Sequence, residues 1–396
     1  MRTRAPKSRA QIRDIRPVRI DGLRVLVVAE SFLPQVNGVT NSVRRVLDHL
    51  AAQGHTAELI APTGPESYAG FPVTTCRGAS LPFYKEFRIG LETRRRLRRA
   101  MVAFQPDVVH IASPATLGYQ AARAAAELGI PTVAIYQTDM VGFAARYDIP
   151  GGAKAMEALT RRIHLGVDRT LAPSTASLRQ LEGLGVPGLG TWGRGVDLVQ
   201  FHPRHRDEEL RRRLASGGEL LVGYVGRLAP EKEIELLRHL DALDGVRVVV
   251  VGGGPSESDL RKALPDATFL GMLHGEELSA AYASLDVFVH TGRHETFGQS
   301  LQEAMASGLP VVAPAQGGPL DVVDRRAGFL FPPGDGAALT AYVGLLVQDP
   351  ALRAQMGRHA RRSVEGRSWH AVNETLVQHY REVIAAHSRT PMRRAS

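Results

Sequence analysis

Two carboxylates, Glu295 and Glu303, stand eight positions apart around the run Phe297-Gly298-Gln299-Ser300. The apolar run Val287–Val289 predicts a buried strand, Glu295–Gly298 a turn, Gln299–Ala306 a helix and Pro310–Ala313 the next strand. The first backbone N–H groups of such a helix lack intrahelical acceptors and sit in positive potential, which suits a phosphate. Two acids touching that phosphate would repel it, so the partners they suit are neutral hydroxyls. A sugar nucleotide offers both kinds of group. Upstream, Leu221–Arg227 predicts a strand ending in Gly226-Arg227, and Glu231-Lys232 lies where the next helix begins. Cations converging from a strand end and a helix start would stabilise the charge that grows as a nucleoside diphosphate departs.

These groups need a scaffold, and strand-like and helix-like segments alternate along the chain. Leu23–Ala29 is an apolar run of the kind found in parallel strands covered on both faces. A loop containing Asn37-Gly38-Val39 follows, then an amphipathic segment, Thr40–Ala52, with Val43, Val46, Leu47 and Leu50 on one face. Gly38 there lets the backbone approach a ligand closely or take positive φ. Further strands are expected at Thr56–Ala61, Asp107–Ile111 and Thr132–Tyr136, and helices at Leu91–Phe104 and Leu117–Leu128. Tyr136-Gln137-Thr138-Asp139 ends a strand, opens the segment Met140–Tyr147, and should project into an interdomain crevice. Arg247–Pro255 reads as a strand with a glycine loop, Gly252-Gly253-Gly254, and Phe269–Leu273 as the next strand. The alternation implies open parallel sheets wound with helices. The absence of Gly-x-Gly-x-x-Gly argues against a nicotinamide or flavin dinucleotide site. We expect a first domain at 22–190, a glycine-rich crossing between about 186 and 200, a second domain at 191–370, and a terminal helix with its tail at 371–396.

The net charge of +9 raises nucleic acid as a partner, but only five of the 49 basic residues are lysine, and aromatic residues do not alternate with the basic ones. A stacking surface for single strands needs that alternation, so no nucleic-acid partner is expected. Cys76 stands alone, which excludes an intramolecular disulfide framework. No Asp-x-Asp pair or metal-ligand cluster is legible, so neither metal nor cofactor is expected. No apolar run reaches the ~18 residues of a membrane span, and no signal-peptide centre is present, which implies a cytoplasmic protein. Residues 1–21 read as a disordered basic tail. The segment Leu91–Phe104 sets Leu97, Met101 and Phe104 on one face and Arg94, Arg95, Arg96, Arg98 and Arg99 around the rest. Such a helix is either a solvated face over a packed stripe or a contact for an anionic membrane.

His294-Glu295-Thr296-Phe297-Gly298 through Glu303-Ala304 resembles the Glu-x7-Glu motif of retaining GT-B glycosyltransferases of family 4, and Arg227 through Lys232 resembles their phosphate clamp. The resemblance implies an α/β fold of two Rossmann-like doubly wound domains facing each other across a cleft. It implies hexose transfer with retention by front-face substitution, the leaving phosphate taking the acceptor proton. It makes Arg227 and Lys232 stabilise the diphosphate, with Phe297, Gly298, Gln299 and Ser300 contributing the helix start. Glu295 would hold sugar hydroxyls and Glu303 the ribose. Gly38, Gly253 and Gly254 would let the backbone approach the donor, and Met272 and Leu273 would read the base. Asn37, Tyr136, Gln137 and Asp139 would meet acceptor or sugar. Gln137 stands where many members carry histidine, so a role for an imidazole there is not carried over. The segments Glu30–Val39, Tyr136–Asp139 and His290–Gln299 are similar to those of bacterial GDP-mannose-dependent α-mannosyltransferases, implying GDP-mannose as donor and a glycolipid acceptor at the cytoplasmic membrane face. A uridine-linked glucose or N-acetylglucosamine donor with a small natural-product acceptor remains open, as does a non-catalytic sugar-nucleotide-binding protein.

Overall fold

The structure, a computed structural model, describes residues 22–35, 37–81, 84–112, 114–137, 139 and 152–389. The expected basic tail, Thr138 and the segment Met140–Tyr147 lie outside the described residues.

The first sheet grows from β1 (Arg24–Val28), β2 (Thr56–Ala61), β3 (Ser67–Tyr68) and β4 (Phe71–Thr75). A hairpin of β5 (Arg77–Leu81) and β6 (Tyr84–Leu91) stands apart from it, and β7 (Val108–Ile111), β8 (Thr132–Ile135), β9 (Arg169–Ala172) and β10 (Leu189–Thr191) complete it. The spatial order is β10-β9-β8-β7-β1-β2-β4-β3, parallel except for β3 against β4. Alternation along β1 explains its unbroken apolar run. Val25 and Val27 enter one core with Val43, Val46, Leu47 and Leu50 of helix α1 (Gly38–Ala52). Leu26 and Val28 enter the opposite core with Leu97 and Met101 of α2 (Arg94–Phe104) and Leu117 and Ala121 of α3 (Thr116–Leu128).

The second sheet comprises β11 (Leu220–Val225), β12 (Val246–Val251), β13 (Thr268–Gly271), β14 (Val287–Val289), β15 (Val311–Pro314) and β16 (Gly328–Phe331). It is parallel throughout, in the order β13-β12-β11-β14-β15-β16. The same two-faced burial recurs, with Leu221 and Val225 in one core and Val222 and Tyr224 in the other. In open sheets of this kind, ligands bind outside the carboxyl ends of the strands where the order reverses. Those points fall between β1 and β7 in the first sheet and between β11 and β14 in the second. The two doubly wound units match the expected fold class.

Between the sheets the chain passes through Trp192–Asp197. Trp192 is buried in the first core, and its indole Nε1 donates to the Val372 carbonyl at 3.1 Å. Val372 belongs to the last helix among the described residues, α5 (Trp369–Arg389), whose Leu376, Val377, Tyr380 and Val383 return to the first sheet's core. A Cβ on Gly195 would lie 2.4 Å from the Trp369 Cα, so Gly195 is required by a close backbone approach. An ordinary turn would not demand it. Arg45 of α1 pairs with Asp197 at 3.2 Å beside this crossing.

Candidate active site

At the reversal point of the second sheet, the chain leaving β14 lies directly on the turn Pro230–Lys232. Thr291 Oγ1 donates to the Lys232 carbonyl at 2.6 Å, and a Cβ on Gly292 would stand 3.1 Å from both the Glu231 carbonyl and the Lys232 Cα. That contact sets Lys232 beside the following loop, where its Nζ donates to Glu295 Oε2 at 2.7 Å. Burial pushes the Glu295 carboxyl up, but the Lys232 charge, His290 and the hydrogen bonds from Lys232 and the Phe297 N–H outweigh it and hold it down to about 2. His290 is buried 3.8 Å from the same carboxylate, and burial pulls its imidazole down to about 4. Two groups expected on different parts of the donor are thus paired with each other.

Helix α4 (Gln299–Ala306) begins on Gly298 at φ 101°, the left-handed region, and no side chain caps it. Glycine is suited to that turn because a Cβ is disfavoured there. The turn is pinned from behind: Gly318 N donates to the Glu295 carbonyl at 2.7 Å, and a Cβ on Gly318 would meet the Phe297 carbonyl oxygen at 2.3 Å. The Phe297 side chain is buried in the core with Leu301 and Val322, which leaves the backbone part expected of it at the helix start. Only its backbone remains for a ligand. Gln299 is also partly committed, its Nε2 donating to the Gly195 carbonyl and to Glu303 Oε1, each at 3.2 Å. Ser300, half-buried, opens the helix beside it. Glu303 Oε2 accepts from the buried Tyr282 hydroxyl at 2.9 Å. Burial pushes the Glu303 carboxyl up to about 7, against the bonds from Tyr282 and Gln299. Nothing in the spacing of the sequence pointed to Tyr282.

Arg227 follows β11 and is half-buried, and its carbonyl accepts from the Tyr224 hydroxyl at 3.2 Å. The glycine loop after β12 lies against this segment. A Cβ on Gly252, at φ 133°, would stand 1.9 Å from the Gly226 carbonyl oxygen, and one on Gly254 would stand 2.2 Å from that of Leu228. The expected ligand approach therefore does not explain Gly254, whose partner is the chain's own backbone. Gly253 alone of the three faces only side chains, the nearest being Met272. Met272 is 60% exposed and Leu273 half-buried, both just past the end of β13.

The first unit contributes its own reversal point. Asn37 is the N-cap of α1: its Oδ1 accepts from Thr40 N at 2.9 Å and its Nδ2 donates to Ser31 Oγ at 2.7 Å. The exposed amide so held keeps one N–H and one lone pair for an acceptor or sugar, and its first role is to cap α1. Gly38 is the first helical residue and lacks positive φ; its closeness is to Arg194, whose Nη1 donates to the Gly38 carbonyl at 2.7 Å. Arg194 also donates to Ser42 Oγ and, at 3.0 Å, to Gln137 Oε1. Gln137 is buried, its Nε2 donating to the Ala112 carbonyl. Tyr136 is buried too, with its hydroxyl donating to Asp139 Oδ1 at 3.3 Å, so it lines the core and not the crevice. Asp139 Oδ1 also accepts from Gln180 Nε2 at 3.0 Å.

Sequence reasoning missed Arg194, which sits inside the glycine-rich crossing. Its backbone carbonyl accepts from Gln302 Nε2 of α4 at 2.8 Å while its guanidinium holds α1 and Gln137, so one residue fastens both units. Burial pulls that guanidinium down to about 10, against the field of Glu295. Glu30, just past β1, was also missed as an individual residue. Its Oε1 accepts from the N–H groups of Ala115, Leu117 and Gly118 at the start of α3, and its Oε2 from Gly90 N of the hairpin.

Residues 36–200 match the family model "Glycosyltransferase Family 4", and residues 206–363 match "Glycosyl transferases group 1". The chain belongs to glycosyltransferase family 4. A Mycobacterium tuberculosis relative named GDP-mannose-dependent alpha-mannosyltransferase is 49% identical, the match covering 91% of this chain and 97% of the relative. The Corynebacterium glutamicum protein of the same name is 41% identical over 93% and 91%. The Arabidopsis thaliana sulfoquinovosyl transferase is 35% identical over 89% and 72%. Among solved structures, Anabaena HepE in complex with UDP superposes with a TM-score of 0.76 at 18% identity, covering 91% of this chain and all of that one. That likeness supports the GT-B fold of this glycosyltransferase. The enzyme is a hexosyltransferase, and no helix among its described residues is long and apolar enough to cross a membrane.

Proposed function

We propose that this glycosyltransferase moves mannose from GDP-mannose, with retention, onto a glycolipid or its polar head group. The observation that carries the reading is the grouping of Lys232, Glu295 and the uncapped start of α4 at the reversal point of the second sheet, in a chain so similar to relatives named for GDP-mannose. In this reading the bond between the anomeric carbon and the β-phosphate oxygen breaks while the acceptor oxygen bonds that carbon on the same face. The acceptor proton passes to the departing phosphate. Arg227, Lys232 and the N–H groups opening α4 stabilise the growing diphosphate charge. Glu295 accepts from sugar hydroxyls and Glu303 from the ribose. All the positive charge then comes from the protein, and no divalent cation is assigned a part in the transfer.

The acceptor reading also rests on α2. Arg94, Arg95, Arg98 and Arg99 line a shallow groove with Glu127, and the first turn of the helix holds no acid. Cations at a helix N-terminus are held against the macrodipole, so an anionic surface laid on them relieves real repulsion. A membrane rich in anionic lipid fits that face.

Calorimetry of the purified protein against GDP-mannose, UDP-glucose and UDP-N-acetylglucosamine, with Glu303→Ala as control, tests the donor. Selective binding of GDP-mannose that the variant loses supports the reading, and preference for a uridine donor overturns it. Sedimentation with phosphatidylglycerol vesicles and with phosphatidylcholine vesicles tests the surface. Binding to the first that Arg95→Ala/Arg98→Ala/Arg99→Ala weakens is expected, and equal binding to both lipids would remove the electrostatic account.

A further inference from the structure

The seam where α5 lies on α1 gathers three side chains that the transfer chemistry leaves unused. His49 is in the last turn of α1 and its side chain is only 5% exposed. His370 and Glu374 lie four residues apart near the start of α5, hence on one face of that helix. One ligand atom from each of the three falls within 4.8 Å of the other two. His49 Nε2 stands 3.1 Å from Glu374 Oε1, and the two imidazole centroids are 5.2 Å apart.

The pairing of His49 with Glu374 is incomplete in a telling way. The buried His49 Nε2 lies within ion-pair distance of Glu374 but finds no well-aligned hydrogen bond. In the same seam, Asn373 donates its Nδ2 to the Arg45 carbonyl at 2.9 Å and leaves its buried Oδ1 without a donor. Buried polar atoms are normally satisfied, so a buried imidazole nitrogen with no aligned hydrogen bond, set close to a second imidazole and a carboxylate, points to a missing partner.

We propose that His49, His370 and Glu374 form a binding site for Zn²⁺ or a similar borderline cation, which pins α5 onto α1. Two imidazoles and a carboxylate form a donor set that zinc accepts, whereas magnesium and calcium call for oxygen ligands. Zinc binds nitrogen and oxygen at about 2.0–2.2 Å, which sets tetrahedral ligand atoms about 3.3–3.6 Å apart. The pair at 3.1 Å is close to one such edge, and the exposed His370, whose ligand atom lies within 4.8 Å of both, would turn on its side-chain bonds to approach the metal. A fourth position stays open toward solvent on the His370 side. Such a site lies away from the cleft but acts on α1, whose opposite end carries Asn37 and Gly38.

Tag-free full-length protein stripped with chelator is titrated with ZnCl₂ by calorimetry and with CoCl₂ by visible absorption. Saturation at one equivalent is expected, with the intense d–d bands of tetrahedral Co²⁺ and a higher melting temperature. His370→Ala and Glu374→Gln change exposed or half-exposed side chains, and equal melting of the three proteins in chelator confirms that they fold alike. Each variant should bind Zn²⁺ at least about tenfold more weakly. Absence of saturable binding in the parent protein, or undiminished affinity in both variants, overturns the proposal.

Discussion

Lys232 Nζ and Glu295 Oε2 meet at 2.7 Å at the point where the second sheet reverses its order. The pair is mostly buried, and each charge stabilises the other where water reaches it poorly. In the proposed reading an incoming diphosphate adds negative charge beside Lys232, while neutral hydroxyls take up the outer face of Glu295. The ammonium then bridges two anions, so donor binding need not break the pair.

Removing either cation of the clamp tests that arrangement. Arg227→Ala and Lys232→Ala are each expected to lower kcat by about 10²–10³, the usual scale for one charge-stabilising donor. Initial rates at saturating donor measure it, and losses below about threefold for both would remove the clamp. Glu295→Gln keeps the shape but cancels the charge. It should weaken donor binding less than it slows turnover, read as a smaller change in KM than in kcat.

Glu303 carries a pH prediction. Its folded pKa is raised from 4.5 to about 7 by burial. The folded state therefore holds a proton that the unfolded state has released between those values, and this group's contribution to stability falls as pH rises from about 4.5 to about 7. Donor binding runs the other way, because only the carboxylate accepts from two ribose hydroxyls. The donor KM should rise as pH drops below about 7, and Glu303→Gln should flatten that dependence while raising KM throughout. A parent profile with no inflection between pH 5 and 8 would contradict it.

The strands and helices that carry the site were legible because each obeys a local rule. Val287–Val289 and Gln299–Ala306 fall where apolar runs and turn residues place them. The side-chain roles were less legible, since they depend on residues distant in sequence. Asn37 read as a ligand contact, but its role as the cap of α1, bonded to Ser31 and Thr40, depends on the folded loop. Tyr136 looked like a crevice residue, but it is buried. Glu30 caps the start of α3 from 85 to 88 positions away, a relation that no local pattern encodes. The grouping of His49 with His370 and Glu374 was hidden for the same reason.

Arg194 joins the two units, so its loss should show in both stability and rate. Arg194→Ala deletes bonds to Gly38, Ser42 and Gln137, and hydrogen bonds from a charged donor contribute about 1.5–3 kcal/mol each without adding simply. We expect a lower melting temperature together with a loss of about 10–100-fold in kcat/KM from misplaced cleft walls. A double-mutant cycle with Gln137→Ala separates the contributions. If the Arg194–Gln137 contact carries coupling, the double variant loses less than the sum of the singles.

The glycine loop after β12 separates a backbone requirement from a ligand requirement. Gly252→Ala would place a Cβ 1.9 Å from the Gly226 carbonyl oxygen at a φ that side chains rarely adopt. Neither backbone can yield without disturbing the β11–β12 pairing, since Gly226 N itself donates to the Val251 carbonyl at 3.0 Å. The expected cost is at least about 2 kcal/mol of folding stability. Gly253→Ala meets nothing nearer than the Met272 methyl at 3.6 Å and should leave the denaturation midpoint almost unchanged. If the backbone at Gly253 also approaches the nucleotide, its alanine variant should instead raise the donor KM. Urea denaturation and donor titration of the two variants read these effects independently, and equal destabilisation of both would show that the crowding at Gly252 is not what makes it glycine.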